Sequence, residues 1–175
     1  TIGLVGGTGA IGAKVAEIAR VFGMRVLVWS RSARTCEAWE AAPTLHDLLA
    51  RSDFVSVHCP LNEHTRGLID ADALRAMKPT AYLVNTARGG VIHQEALVDA
   101  LRANVIAGAG LDVQDPEPPE PDSPLWGLEN ATLSPHVGWK RVETRQRLMD
   151  TVAENVEAFL AGRPVNVVGG PGKKP

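Results

Sequence analysis

The chain has 175 residues, of which 45% are hydrophobic and 22% are charged. This length predicts one folded domain, and the apolar content excludes a disordered chain. The formal net charge of −2 gives no overall field that would hold nucleic acid or an anionic membrane, so neither is expected as a partner.

Short runs rich in β-branched residues alternate with helical patterns along the chain. The predicted strands are 1–5, 25–29, 54–58, 81–85, 105–113 and 131–134. The predicted helices are 13–22, 70–77, 94–102 and 141–161, and the proline-rich segment 115–124 is predicted to be a loop. This alternation predicts an α/β fold, with a doubly wound parallel sheet of the Rossmann type flanked by helices on both faces.

The predicted helices define the extent of the domain. The first one has an apolar face made of Val15, Ile18, Ala19 and Phe22. The second is expected to begin at a cap formed by Asp70. The last is expected to close a dinucleotide-binding domain that spans residues 1–168, followed by a flexible tail at 169–175. Because an apolar strand begins directly at Thr1, we expect the chain to be an excised piece of a longer one.

A glycine-rich turn joins the first predicted strand to the first predicted helix. Gly7, Gly9 and Gly12 fit the pattern G-x-G-x-x-G. With a strand before it and a helix after it, this turn favours nucleotide binding, because its amides can approach a pyrophosphate at a helix N-terminus. An ordinary turn is the alternative. Gly6 adds one residue, which leaves open which amides contact phosphate.

The end of the second predicted strand differs from that of a typical NAD-binding protein. Such a protein usually has an acid there for the ribose hydroxyls, whereas this chain has Ser30, Arg31, Ser32 and Arg34. Hydroxyls and arginines suit a 2′-phosphate, so NADP is the preferred cofactor and NAD remains an alternative. The ordinary interpretation is a solvated turn.

Two further side chains follow predicted strands. Arg88 follows the fourth strand and His136 follows the last, so both are expected at the edge where such sheets bind ligands. Arginine suits a carboxylate, and histidine exchanges protons near neutral pH. Each has a structural alternative, and Glu117 is one of five acids between Asp112 and Asp122.

Four stretches resemble the D-isomer-specific 2-hydroxyacid dehydrogenases. They are HCPLNEHTRGLI, NTARGGVI, AGLDVQDPEP and SPHVGW, and the resemblance covers nearly the whole chain. The spacing of Arg88, Glu117 and His136 is similar to that of the family's catalytic triad. The resemblance implies that Arg88 binds the carboxylate of a 2-keto acid, that His136 protonates the carbonyl oxygen as hydride arrives, and that Glu117 keeps His136 charged.

The same resemblance implies contacts with the cofactor. Asp112 would meet the nicotinamide carboxamide, while Cys59 and Pro60 would lie on the adenine side. Together with the glycine turn, the predicted cofactor-binding residues are Gly7, Gly9, Ala10, Ile11, Gly12, Ser30, Arg31, Ser32, Cys59, Pro60, Thr65, Thr86, Ala87, Asp112 and Gly138. No metal is expected. The chain departs from the family in its extra glycine, in a short segment between Arg31 and Leu45, and in lacking the N-terminal substrate lobe.

The resemblance implies an NAD(P)-dependent oxidoreductase that resembles glyoxylate or hydroxypyruvate reductases and acts on a small 2-keto acid. A phosphoglycerate or other D-2-hydroxyacid dehydrogenase is an alternative, and a dinucleotide-sensing protein of the corepressor kind is an alternative from another class. A homodimer is expected. Because Cys36 and Cys59 indicate no disulfide framework, a cytoplasmic location is also expected.

Overall fold

The structure is a computed structural model and describes residues 1–168. The predicted tail at 169–175 lies outside the described residues. The chain divides into two compact units, Thr1–His136 and the part that begins at Val137. The predicted extent of the domain, residues 1–168, stays a prediction.

The first unit contains a seven-stranded parallel sheet. Its strands are β1 (Ile2–Val5), β2 (Val26–Trp29), β3 (Glu40–Ala41), β4 (Phe54–Val57), β5 (Tyr82–Asn85), β6 (Gly108–Leu111) and β7 (Ala131–Leu133). They lie in the order β3-β2-β1-β4-β5-β6-β7, and every pair is parallel. The order reverses direction after β3, as in a doubly wound sheet. The predicted fold is confirmed.

The helices are α1 (Ala10–Val21), α2 (Leu45–Arg51), α3 (Ala71–Ala76), α4 (Gln94–Arg102) and, in the second unit, α5 (Val142–Leu160). Two short 3₁₀ helices cover Gly89–Val91 and Pro124–Gly127. The cap predicted at Asp70 is confirmed, because its side chain accepts a hydrogen bond from Ala73 N at 2.9 Å. The described residues include no helix with the length and apolar content needed to cross a membrane.

Helices cover both faces of the sheet. Val26 and Val28 of β2 belong to one buried apolar cluster, together with Ala16 and Ala19 of α1. Leu27, between them, belongs to a second cluster that includes residues of α2, α3 and α4. Because successive side chains of a strand point to opposite faces, the two clusters lie on opposite sides of the sheet.

Some sequence-based predictions of local structure are wrong. In the predicted apolar face of α1, Ala19 is buried and Val15 packs against the same cluster, but Ile18 and Phe22 are 49% and 79% exposed. The fully buried residues of the helix are Gly12, Ala16 and Ala19. Small side chains there allow the helix to lie close to the turn that precedes it. The sequence interpretation also missed β3 and α2. The strand has only two residues, and α2 begins at Thr44, whose hydroxyl accepts from Asp47 N at 3.0 Å.

The parallel arrangement brings one set of chain segments to a common edge. All strands end at the same edge, so the residues that follow them are neighbours in space. After the six longer strands those residues are Gly6, Ser30, His58, Thr86, Asp112 and Ser134, and Ala42 follows the two-residue strand β3. Three of them, Ser30, Thr86 and Asp112, are among the residues that the sequence predicts to be functional, and Arg31, Cys59 and Ala87 are the next residues along the chain.

Candidate cofactor and active site

The extra glycine of the turn after β1 has a structural reason. Gly6 has a φ of +80°, and a Cβ built on it would lie 2.7 Å from the backbone nitrogen of Cys59. Only glycine adopts this conformation without strain and allows the end of β4 to approach so closely. Gly12 is equally constrained, because a Cβ there would lie 2.5 Å from the Cα of Gly7. These two contacts hold the turn between α1 and β4.

The space around Gly9 is open by comparison. A Cβ on Gly9 would approach only the carbonyl oxygen of Gly6, at 3.9 Å. The residue lines a cavity and precedes Ala10, where α1 begins. The first amides of a helix have no intrahelical acceptor and lie at its positive end, so Ala10, Ile11 and Gly12 present donors suited to a phosphate.

A cavity of about 350 Å³ lies between the glycine turn and the end of β2. Its lining includes most of the predicted adenosine-side residues. The lining residues are Gly6, Thr8, Gly9, Trp29, Ser30, Arg31, Ser32, His58, Cys59, Pro60, Asn62, His64 and Thr65. The hydroxyls of Thr8 and Ser30 are 3.2 Å apart. The hydroxyl of Thr65 donates to Pro60 O at 2.5 Å and accepts from Asn62 N at 2.9 Å, so it shapes the 60–65 loop.

A second cavity, of about 570 Å³, lies on the other side of residues 58–60, which form a wall common to both. It is lined by Ile11, Val57, His58, Cys59, Pro60, Leu61, Thr86, Ala87 and Arg88. Arg88 is exposed, and its guanidinium donates to Ala87 O at 2.6 Å. Its position on the lining makes a positive group available to an anionic ligand.

The wall between the cavities contains two groups that burial keeps uncharged. Burial lowers the pKa of His58, so its imidazole is neutral at pH 7, and its Nε2 atom is buried without a hydrogen-bond partner among the described residues. Burial raises the pKa of the Cys59 thiol, which therefore stays protonated. His58 was not singled out from the sequence.

Glu117 and His136 are brought together across 19 positions of sequence. The Oε1 atom of Glu117 lies 2.5 Å from Nδ1 of His136, and both side chains are partly exposed. His136 has a φ of +52°, which is uncommon for a residue other than glycine and is found preferentially at functional sites. With Nδ1 bound to the carboxylate, Nε2 is the nitrogen suited to exchange a proton with a ligand.

The loop that carries Glu117 is held against the chain after β5. Asp115 N donates to Oε1 of Gln94 at 3.2 Å, and the Asp115 carboxylate pairs with Arg66 at 3.4 Å. A Cβ on Gly89 would lie 2.0 Å from the backbone of Gln114. This close backbone approach requires glycine next to Arg88.

Asp112 follows β6 and is 8% exposed. Ser134 donates its hydroxyl hydrogen to Oδ1 of Asp112 at 2.5 Å, and Asp112 N donates to Asn85 O at 3.0 Å. Gly138 belongs to the second unit, so its predicted contact with the cofactor stays a prediction. Among residues 1–168, no group of three or more His, Cys, Asp or Glu is placed to hold a metal ion.

The structure also assigns residues to the site that the sequence interpretation did not select. They are Thr8, His58, Asn62, Asn85 and Ser134. Most follow directly from position, because a residue at the end of a parallel strand or inside the glycine turn reaches the carboxyl edge. The strand order, the glycine turn and the two cavities define the molecule as a dinucleotide-binding domain of the doubly wound class.

Comparison with known proteins identifies the family. Residues 1–138 match the family described as D-isomer specific 2-hydroxyacid dehydrogenase, NAD binding domain, and the chain belongs to it. A glyoxylate reductase of Korarchaeum cryptofilum is 49% identical over 172 residues, which are 96% of this chain and 52% of that protein. A hydroxypyruvate reductase of Blautia hydrogenotrophica is 39% identical over 168 residues, 93% of this chain and 51% of that protein.

Solved structures lead to the same family. An NADPH-dependent glyoxylate/hydroxypyruvate reductase from Sinorhizobium meliloti, in complex with NADP and malonate, is 35% identical with a TM-score of 0.87. The alignment covers 95% of this chain and 53% of that one. The chain therefore spans about half the length of the relatives it matches, and it corresponds to their nicotinamide-dinucleotide-binding part.

Proposed function

We propose that this chain is the cofactor-binding and proton-donating half of an enzyme that reduces small 2-keto acids to D-2-hydroxy acids, of the glyoxylate or hydroxypyruvate reductase type. The observation that carries the proposal is the pairing of Glu117 with Nδ1 of His136, at 2.5 Å. Such a pair provides an oriented proton donor at the carboxyl edge of the sheet, where nucleotides bind in this fold class. The names of the relatives support the substrate class.

The residues present suit a nicotinamide dinucleotide. Space next to Gly9 and the amides at the start of α1 would receive the pyrophosphate, with the adenosine side in the 350 Å³ cavity. The nicotinamide would lie on the Asp112 side of the edge. When bound, the reduced cofactor supplies hydride to the keto carbon.

The protein's own groups then have separate tasks. The guanidinium of Arg88 binds the carboxylate of the keto acid by charge-assisted hydrogen bonds and polarises its carbonyl. Protonated His136 transfers its Nε2 proton to the carbonyl oxygen, so that hydride and proton together give the alcohol. Glu117 binds Nδ1 and so fixes the orientation of the imidazole ring. In the oxidative direction His136 accepts the proton.

The proposal includes a preference for NADP. The residues directly after β2 carry no carboxylate; Ser30, Arg31 and Ser32 line the cavity there, with the hydroxyl of Thr8 near Ser30. These three hydroxyls and the arginine suit a 2′-phosphate, whereas a carboxylate there would repel it. Titration of the protein with NADPH and NADH tests this. NADPH should bind more tightly, and Ser30→Asp should weaken NADPH binding more than NADH binding. Equal or tighter NADH binding by the unaltered protein would refute the preference.

The substrate class is tested with the full-length protein. Glyoxylate, hydroxypyruvate and 3-phosphohydroxypyruvate are each offered with NADPH, and the chirality of the product is determined. Turnover of the first two to the D product is expected. Preference for the phosphorylated acid would favour phosphoglycerate dehydrogenase, as a 42% identical relative from Mycobacterium leprae is named. Dinucleotide binding without any turnover would favour a sensing protein. A homodimer and a cytoplasmic location stay predictions.

A further inference from the structure

Asn85 is the last residue of β5, and only 1% of it is exposed. Both ends of its carboxamide bind the turn that carries Arg88. The Oδ1 atom accepts a hydrogen bond from Ala87 N at 3.0 Å, and Nδ2 donates to Arg88 O at 2.9 Å. One buried side chain therefore fixes the backbone from which the arginine extends.

Asn85 is also joined to the next strand. Its register partner in β6 is Leu111, and Asp112, which follows, donates its backbone N–H to Asn85 O at 3.0 Å. The same residue thus connects the turn of Arg88 with the start of the segment that leads to Glu117. No hydrogen bond of Asn85 extends to the glycine turn after β1, within the part of the chain that the structure describes.

The chain after Arg88 is held in a different way. Gly89 lies against the backbone of Gln114, and Ile92 N donates to Gly89 O at 3.0 Å. The 3₁₀ helix Gly89–Val91 and this close packing fix the far side of the turn. Arg88 O also accepts from Val91 N of this 3₁₀ helix, at 3.3 Å. On the near side, the side-chain contacts come from the Asn85 carboxamide, so its removal should change the direction of Arg88 without unfolding the segment.

We propose that Asn85 is a positioning residue that directs Arg88 towards the carboxylate of the substrate. This rests on the proposed function, which gives Arg88 that task. A displacement of about 1 Å from productive geometry can lower a rate roughly 100-fold. Loss of the amide donor should therefore raise KM for the keto acid, or lower kcat/KM, by about 10- to 100-fold. Dinucleotide affinity should change far less than kcat/KM as long as the side chain still accepts from Ala87 N, because the predicted cofactor contacts of this turn are Thr86 and Ala87.

The substitution Asn85→Asp separates positioning from general stability. It retains the acceptor for Ala87 N but replaces the donor to Arg88 O with a carboxyl oxygen. When ionised, that oxygen repels the carbonyl; when protonated, it donates to the carbonyl and restores the contact. Burial at this position raises the pKa of a carboxyl above its usual value of about 3.9, so the ratio of variant to wild-type kcat/KM should be low near pH 8 and higher at about pH 5.5. The titratable groups near it are Arg88 on the same turn, Asp112 after β6 and His58 after β4.

Two further variants complete the test. Asn130→Asp is the matched control, because Asn130 Nδ2 also donates to a backbone carbonyl, Leu101 O at 3.0 Å, but lies outside both cavities of the site. Its kcat/KM should equal that of the wild type at both pH values. Asn85→Ser can still accept from Ala87 N but cannot reach Arg88 O. Its kcat/KM should be low at both pH values, without the rise in acid, and this variant provides the test if Asn85→Asp does not fold.

Steady-state kinetics with glyoxylate, NADPH titration and thermal unfolding are measured on the full-length protein and each variant. The proposal is overturned if both Asn85 variants keep the wild-type kcat/KM, or if Asn130→Asp lowers kcat/KM as much as they do. It is also overturned if the Asn85 variants lose NADPH affinity by the same factor as kcat/KM. If the wild type reduces no keto acid, the proposed function fails instead. Crystal structures of this chain and its Asn85→Ser variant then decide: a shift of the Arg88 guanidinium by more than about 1 Å supports positioning, and an unchanged Arg88 contradicts it.

Discussion

Replacing Gly12 with alanine should damage both the fold and the cofactor site. The new Cβ would lie 2.5 Å from Gly7 Cα, 2.7 Å from Gly7 O and 2.8 Å from Gly7 C. Carbon atoms in ordinary contact are about 3.5 to 4.0 Å apart, so α1 and the turn must separate by about 1 Å. Overpacking of this kind costs about 1 to 3 kcal/mol, and the better helix propensity of alanine offsets up to about 1 kcal/mol.

The expected net loss is about 1 to 2 kcal/mol, which lowers Tm by about 2 to 8 °C in a chain of this size. Thermal unfolding and NADPH titration measure the two effects. Gly9→Ala should retain Tm, because its Cβ meets only Gly6 O at 3.9 Å, yet lose about tenfold in NADPH affinity where the methyl group enters the cavity. Gly127→Ala, with nothing within 4 Å, should change neither. A wild-type Tm for Gly12→Ala would refute the packing argument.

Three further predictions concern the stability of the fold and the activity of the 175-residue chain by itself. Asp70→Ala removes the cap of α3 and should cost about 1 kcal/mol, or about 2 to 4 °C in Tm; an unchanged Tm would contradict the cap. Burial lowers the pKa of His58, so protonation favours the unfolded chain: this contribution to stability is full above about pH 6.5 and declines as the pH falls below it. Urea unfolding measures the free energy of unfolding at pH 8 and pH 5.5, and its decrease in acid should be smaller for His58→Asn than for the wild type. An equal decrease in both proteins would refute the prediction. Finally, the 175-residue chain should bind NADPH but reduce glyoxylate far more slowly than the full-length protein, because an exposed arginine alone holds a carboxylate weakly; equal rates would contradict this.

The sequence predicted the fold well because each strand of a doubly wound sheet is a short apolar run. Six strands were found within a few residues, and α4 matched its predicted range. The strand β3 was not predicted because it has only two residues and no continuous apolar run. The buried face of α1 was predicted only in part: Val15 and Ala19 pack against the core, but Ile18 and Phe22 are exposed, because a close approach to the turn selects small residues there.

The candidate site was predictable only in part. Its backbone elements follow from strand ends and glycines, but the partner of His136 does not. Glu117 lies in an acidic loop where no periodicity distinguishes it from its neighbours, and the resemblance to the family was needed to select it. Asn85 and Ser134 were missed because their roles depend on hydrogen bonds to turns and carboxylates that form only when the strands align.

The most direct test of the acid/base assignment is the turnover of a His136→Gln variant of the full-length protein. General acid catalysis contributes roughly 100- to 10,000-fold, so kcat with glyoxylate should fall by about that factor while the Kd for NADPH stays within about twofold. His46→Gln, at an exposed histidine of α2, is the matched control and should retain wild-type kcat. A His136→Gln variant with near wild-type kcat would show that the proton comes from another group and would contradict the account.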